Sequence, residues 1–128
     1  MANIEKIPTE IGKYIGYIHN GGEVEPFISD IYLISLPVAG LHYYIDDDFL
    51  DNVKRDDQLK FYREKNNPRD EHAILVRYDG VKVGYIPRNS NKILSNLMDG
   101  GKEIYGIVSN VSDYGAYKTI WFKVFLRE

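Results

Sequence analysis

Residues 73–86 read Ala73-Ile74-Leu75-Val76-Arg77-Tyr78-Asp79-Gly80-Val81-Lys82-Val83-Gly84-Tyr85-Ile86. Two runs rich in β-branched and aromatic residues flank the dipeptide Asp79-Gly80. Asp-Gly tolerates positive φ at both centres of a two-residue turn, and the twist of such a turn matches that of paired strands. The stretch therefore reads as a β-hairpin. Pro87 has no N–H for a ladder and stops the second strand. Gly84, inside a strand pattern, marks a bulge or a close approach of another backbone.

Around this hairpin the chain is mostly strand. Residues 31–38 and 59–64 have strong β character, as do 104–108 and 119–126, with residues 109–118 read as the loop between the last two. Residues 45–58 are polar and read as a loop with a short helical turn. Asn89 or Ser90 caps a helix over about residues 90–99. Ile93, Leu94, Leu97 and Met98 form its stripe and Gly100-Gly101 its end. Before the first strand, Ile4, Ile7, Ile11, Tyr14, Ile15 and Ile18 fall at helical spacing, and Gly21-Gly22 could end that helix. Six short strands and little helix predict a mainly β, α+β domain: a small barrel or strongly curved sheet at residues 31–128, preceded by an amphipathic helix and connector at 1–30.

Composition narrows the function. The 128 residues include no Cys, so disulfides and thiolate metal sites are excluded. No apolar run approaches a membrane span and no hydrophobic signal core is visible, so a cytoplasmic protein is expected. The net charge is −3, and residues 1–30 carry all of it. The remaining body is neutral, unlike a protein that coats long nucleic acid. Eleven Tyr supply rings for half-buried strands or for a binding surface.

Known catalytic patterns are missing. There is no GxxxxGK[ST], GxSxG or HExxH motif. His19, His42 and His72 lie far apart, without metal-ligand spacing. The cluster Asp46, Asp47, Asp48 and Asp51 lacks the glycine of a calcium loop and reads as solvated. No catalytic residue, metal or cofactor is expected.

Four linked segments carry more specific information. They are Gly40-Leu41-His42-Tyr43-Tyr44, the strand ending in Arg63-Glu64, Asn67-Pro68-Arg69-Asp70-Glu71-His72-Ala73-Ile74, and Gly84-Tyr85-Ile86-Pro87-Arg88 followed by a helix. In order and spacing, over roughly residues 33–126, they resemble the HIRAN domain family. The resemblance implies a small OB-like β-barrel, here six-stranded with one internal helix, and a module that binds the 3′ end of single-stranded DNA. The terminal nucleotide would enter a pocket in which its free 3′-hydroxyl is recognised.

On these residues the implied roles follow physical chemistry. Tyr43 offers a flat ring to a terminal base. Asp70 offers an acceptor to a 3′-hydroxyl and would repel a 3′-phosphate. His42, Asn66, Asn67, Tyr85 and Arg88 offer donors to phosphates. Arg69 stands where the family often has Tyr; its guanidinium can stack on a base or hold a phosphate. The 109–118 stretch matches the family too loosely to carry a role over, although its Tyr114 and Tyr117 could supply the missing ring. Asn67 and Asp70 are equally readable as turn residues whose side chains bond their own backbone, and both roles can coexist. If the strand alternates, one of Tyr43 and Tyr44 points inward. The alternative is a protein-interaction module with a degenerate pocket, recruiting a partner or a second copy through the N-terminal helix. The DNA reading requires Tyr43 and Asp70 to border one hollow beside the Asn67-Pro68 corner.

Overall fold

A computed structural model describes residues 29–128. The expected helix within residues 1–28 lies outside the described residues. Residues 31–127 form one unit. Its elements are β1 (Ile31–Pro37), a 3-10 turn (Leu41–Tyr43), α1 (Asp47–Leu50), β2 (Gln58–Arg63), β3 (Ile74–Tyr78), β4 (Val81–Tyr85), α2 (Arg88–Asp99), β5 (Ile104–Tyr114) and β6 (Tyr117–Leu126).

The strands form one antiparallel sheet in the order β1-β6-β5-β2-β3-β4. Side chains alternate across it: on β2, Leu59 and Phe61 are buried while Gln58, Lys60 and Tyr62 face outward. Leu59, Ile74, Val76, Val83, Ile120 and Phe122 are among the most deeply buried residues. The Asp79-Gly80 hairpin is present, with φ of 50° and 82° at the two turn residues and Tyr78 opposite Val81. That pair of positive angles is the geometry Asp-Gly tolerates.

The sheet is not the closed barrel expected from the sequence. β1 and β4 share no ladder. A single bridge joins Ala39, just past β1, to Tyr85, with backbone bonds of 2.8 and 3.0 Å. Gly40 follows in the left-handed conformation (φ 73°) and opens the 3-10 turn, so the extended run ends one residue after reaching β4. Gly84 lets the two backbones meet. A Cβ there would stand 2.5 Å from the Ala39 oxygen, and the β3–β4 register shifts beside it. Both readings of Gly84, bulge and close approach, therefore hold.

Three local expectations also change. Residues 109–118 are the extended ends of β5 and β6, closed by a tight turn with Gly115 at φ 67°, rather than a loop. α2 starts at Arg88 instead of about residue 90. Pro87 is its N-cap residue, and neither Asn89 nor Ser90 caps it. Proline's fixed φ (here −58°) suits the entry to a helix, and Ser90 N–H bonds to the Pro87 carbonyl at 3.0 Å. Neither Tyr43 nor Tyr44 is buried, because the segment is a 3-10 turn without the alternation of a strand.

Candidate nucleic-acid interface

The hollow beside the Asn67-Pro68 corner is open, with a volume of about 550 Å³. That is within the range of small-ligand sites. Its walls come from three places: Ala39, Gly40, Tyr43 and Tyr44 after β1; Asn67 to Asp70 before β3; and Tyr85, Arg88 and Asn91 from the end of β4 and the start of α2. Tyr43 and Asp70 border it together.

The corner is built by its own side chains. Asn67 Oδ1 accepts from the backbone N–H of Arg69 (2.8 Å) and of Asp70 (3.1 Å). Asn67 Nδ2 donates to Glu64 Oε1 at 3.0 Å. The same oxygen accepts from the Tyr85 hydroxyl at 2.9 Å, so Glu64 ties the corner to the end of β4. Partial burial and the bond to Glu64 raise the Tyr85 pKa, which keeps the phenol protonated. The turn role of Asn67 is therefore real; its oxygen accepts two bonds, and one of the two Nδ2 donors is used.

Asp70 has both roles' geometry. Its Oδ1 accepts from the His72 backbone N–H at 2.9 Å. Its Oδ2 accepts from Asn91 Nδ2 at 2.7 Å, and Arg88 Nε lies 3.6 Å from it. Partial burial pushes the carboxyl pKa up, but the His72 N–H, the Asn91 amide and the Arg88 charge outweigh it. The group sits below its ordinary value and is ionised at neutral pH. Two ionised oxygens offer more acceptor sites than these bonds occupy.

Cations and rings edge the hollow. The Arg88 side chain is 70% exposed and donates from Nη2 to the Arg69 carbonyl at 3.1 Å. Arg69 is exposed on the rim. Tyr43 is 78% exposed, an open ring face at the lip. His42 lies outside the hollow, between rings: 4.1 Å from Tyr43 and 3.8 Å from Tyr117, nearly parallel to the latter. Tyr117 thus reaches the lip through His42, whereas Tyr114 packs edge-on against Trp121. Asn66 is exposed and is not part of the wall. Of the eight expected residues, six border the hollow; His42 and Asn66 do not.

Three contributors were given no role in the site from the sequence, although Glu64 ends one of the four family segments. Asn91 is buried, at 4% exposure, and holds Asp70. Its signal was present: it lies three residues before Leu94, so it is a polar residue on the packed face of α2. Glu64 was marked only as the end of a family segment, and its role was hidden because it depends on where Tyr85 falls in the β3–β4 register. Lys82 places its amine 4.4 Å from the Tyr44 ring centre and 5.0 Å from that of Tyr85, bracing two walls from behind.

Among the described residues no cluster of His, Asp or Glu could hold a metal ion, and no helix is long and apolar enough to cross a membrane.

Comparison with known proteins agrees with the motif reading. A HIRAN domain family model matches residues 31–126. The helicase-like transcription factor of Mus musculus is 33% identical over 92 residues, which span 67% of this chain and 9% of that protein. A crystal structure of a Lactobacillus plantarum protein superposes with a TM-score of 0.69 at 28% identity, covering 80% of this chain and 99% of that one. The HIRAN domain of human HLTF superposes with a TM-score of 0.59 at 24% identity, over 77% of this chain and 80% of that one. With its family motifs in order and the family model matching the whole six-stranded body, this chain belongs to the HIRAN domain family.

Proposed function

We propose that the chain is a non-catalytic nucleic-acid-binding module whose hollow receives the 3′ end of single-stranded DNA. The observation that carries this reading is the presence of Tyr43 and an ionised Asp70 on one open hollow with Arg69 and Arg88 at its rim. The terminal base stacks on Tyr43, a contact of roughly 1–3 kcal/mol. The 3′-hydroxyl donates to Asp70. Arg88 and Arg69 face the phosphate that precedes it, and the Tyr43–His42–Tyr117 stack offers the next surface.

The test is a titration with a short single strand ending in a free 3′-hydroxyl, set against the same strand ending in a 3′-phosphate. The hydroxyl end is expected to bind at least tenfold tighter, since a phosphate beside Asp70 is repelled. Equal affinity for the two ends would overturn the reading.

One observation favours a second reading. Asn67 gives both Oδ1 bonds and one Nδ2 bond to the corner, and Asp70 already accepts from His72 and Asn91. In a protein-interaction module these residues would be structural and the exposed Tyr43 a contact for a partner. Indifference to the nature of the DNA end, with partner binding lost in Tyr43→Ala, would favour it.

A further inference from the structure

β2 and β5 pair over only two residues, Gln58 with Ile107 and Leu59 with Gly106. From Lys60 onward the strands part, and a hollow of about 780 Å³ opens between the outward face of β2, the start of β5 and the C-terminal end of α2. It is larger than the hollow beside Asp70 and lies at the opposite end of α2 from it.

Its lining is cationic. Lys60, Arg63, Lys65, Lys102 and Arg127 face Asp99 and Glu103. Arg63 is held by Asp99 at 3.0 Å and Arg127 by Glu103 at 3.2 Å. Lys60 and Lys102 have no carboxylate within ion-pair distance among the described residues. Arg77, directly opposite Lys60 on β3, has none either. Its guanidinium lies 5.1 Å over the ring of Tyr62, and its buried Nε has no hydrogen-bond partner. Tyr62 is 43% exposed and stands on the same outward face as Lys60 and Gln58. Those three recur at a two-residue spacing of about 6.7 Å along the strand. The face continues into a third hollow that shares Gln58, Lys60 and Tyr62.

An exposed ring backed by a cation, with the Lys60 amine on the same strand face and the Lys102 amine on the wall of the same hollow, is the equipment for a single strand of nucleic acid. The ring takes a base and the amines take the phosphates. A neutral small molecule would not use the charge, and a bare anion would not use the ring. We propose that the outer face of β2 at Lys60 and Tyr62, together with Lys102 of the α2–β5 connection across the hollow, is a second binding surface for single-stranded nucleic acid, distinct from the end-binding hollow. The proposal rests on the nucleic-acid reading of the chain. It adds a surface that needs no free end.

The test uses the full chain and a 20-nucleotide strand blocked with a 3′-phosphate, which disables the end site. The unaltered protein is expected to bind it with an affinity that falls with salt. Lys60→Glu combined with Lys102→Glu should weaken that binding about tenfold, and Tyr62→Ala should weaken it severalfold. Both variants should bind a 3′-hydroxyl dinucleotide as the unaltered protein does, which separates this surface from the end site. All three side chains are on the surface, and an unchanged melting temperature would show the variants folded. Blocked-strand binding that the two substitutions leave unchanged would overturn the proposal. So would displacement of the blocked strand by an oligoglutamate peptide at equal concentration with no dependence on Tyr62, which would make the surface a site for acidic protein.

Discussion

Asn91 and Asp70 show how much rests on single side chains. Asn91→Ala removes the donor to Asp70 Oδ2 and leaves a gap in a buried wall. The expected cost is about 1–3 kcal/mol in urea unfolding at pH 7, with the Asp70 resonance titrating at higher pH. Asp70 and Asp57 both have folded pKa values below the ordinary carboxylate value. The stability they contribute is present above the unfolded value of about 3.9 and is lost as pH falls through the folded value. Melting temperature should therefore drop on acidification below about pH 4, and Asp70→Asn should flatten that drop. Tyr78 has the opposite sign. Its hydroxyl donates to Asp57 at 2.6 Å, and that bond with partial burial pushes its pKa to about 12. Stability is then present below the ordinary value of about 10 and fades as pH rises through about 12. Tyr78→Phe should remove this alkaline loss in a melting series from pH 8 to 12. Asp57 and Tyr78 are 21 residues apart in sequence, and neither motif nor spacing marks the pair. The family resemblance nominated Tyr43 and Asp70 for the hollow, and their residue types fit it because a ring and an acid are what an end-binding site needs. Residue type did not separate Asn66 from Asn67: Asn67 makes the turn and borders the hollow, and Asn66 lies outside it.

Among the elements, the hairpin of β3 and β4 was the most legible, since Asp79-Gly80 states its own geometry. The extended ends of β5 and β6 were the least. Residues 109–118 are polar, with Asp113 and Gly115, and their pairing comes from the facing strand rather than from intrinsic propensity. The start of α2 was missed because proline set the entry where a polar cap was expected. Gly84 offers a sharp test at this scale. Its φ of 153° and the 2.5 Å approach to the Ala39 carbonyl leave no room for a side chain. Gly84→Ala should cost about 3 kcal/mol by overpacking. Gly80→Ala meets nothing within 4 Å and carries only the strain of φ 82°, about 1 kcal/mol. Denaturant curves of the two variants would show the difference. Similar losses would mean that the seam is less tightly packed than its geometry implies.

Over the whole molecule, the family motifs foretold the six strands and their order in the chain but not how their ends meet. A closed barrel and an open sheet with one bridge share the same strand pattern, and the choice turned on how soon Gly40 bends the chain away. Charge gives a prediction here. Since the body is nearly neutral and the end site offers Arg69 and Arg88, binding of a short 3′-hydroxyl strand should have a shallow salt dependence. A slope of log K against log salt near −0.7 is expected, about the value for one single-strand phosphate held between the two arginines. A slope several times steeper would place the grip elsewhere. The bridge between Ala39 and Tyr85 has a mechanical corollary. The hollow takes one wall from the chain beyond β1 and another from the tip of β4, the two margins of the sheet. A guest lodged there rivets margins that otherwise meet through two backbone bonds and the Lys82–Tyr44 and Tyr44–Tyr85 contacts, so loading the site should slow amide exchange at Ala39 and Tyr85 before it alters the interior.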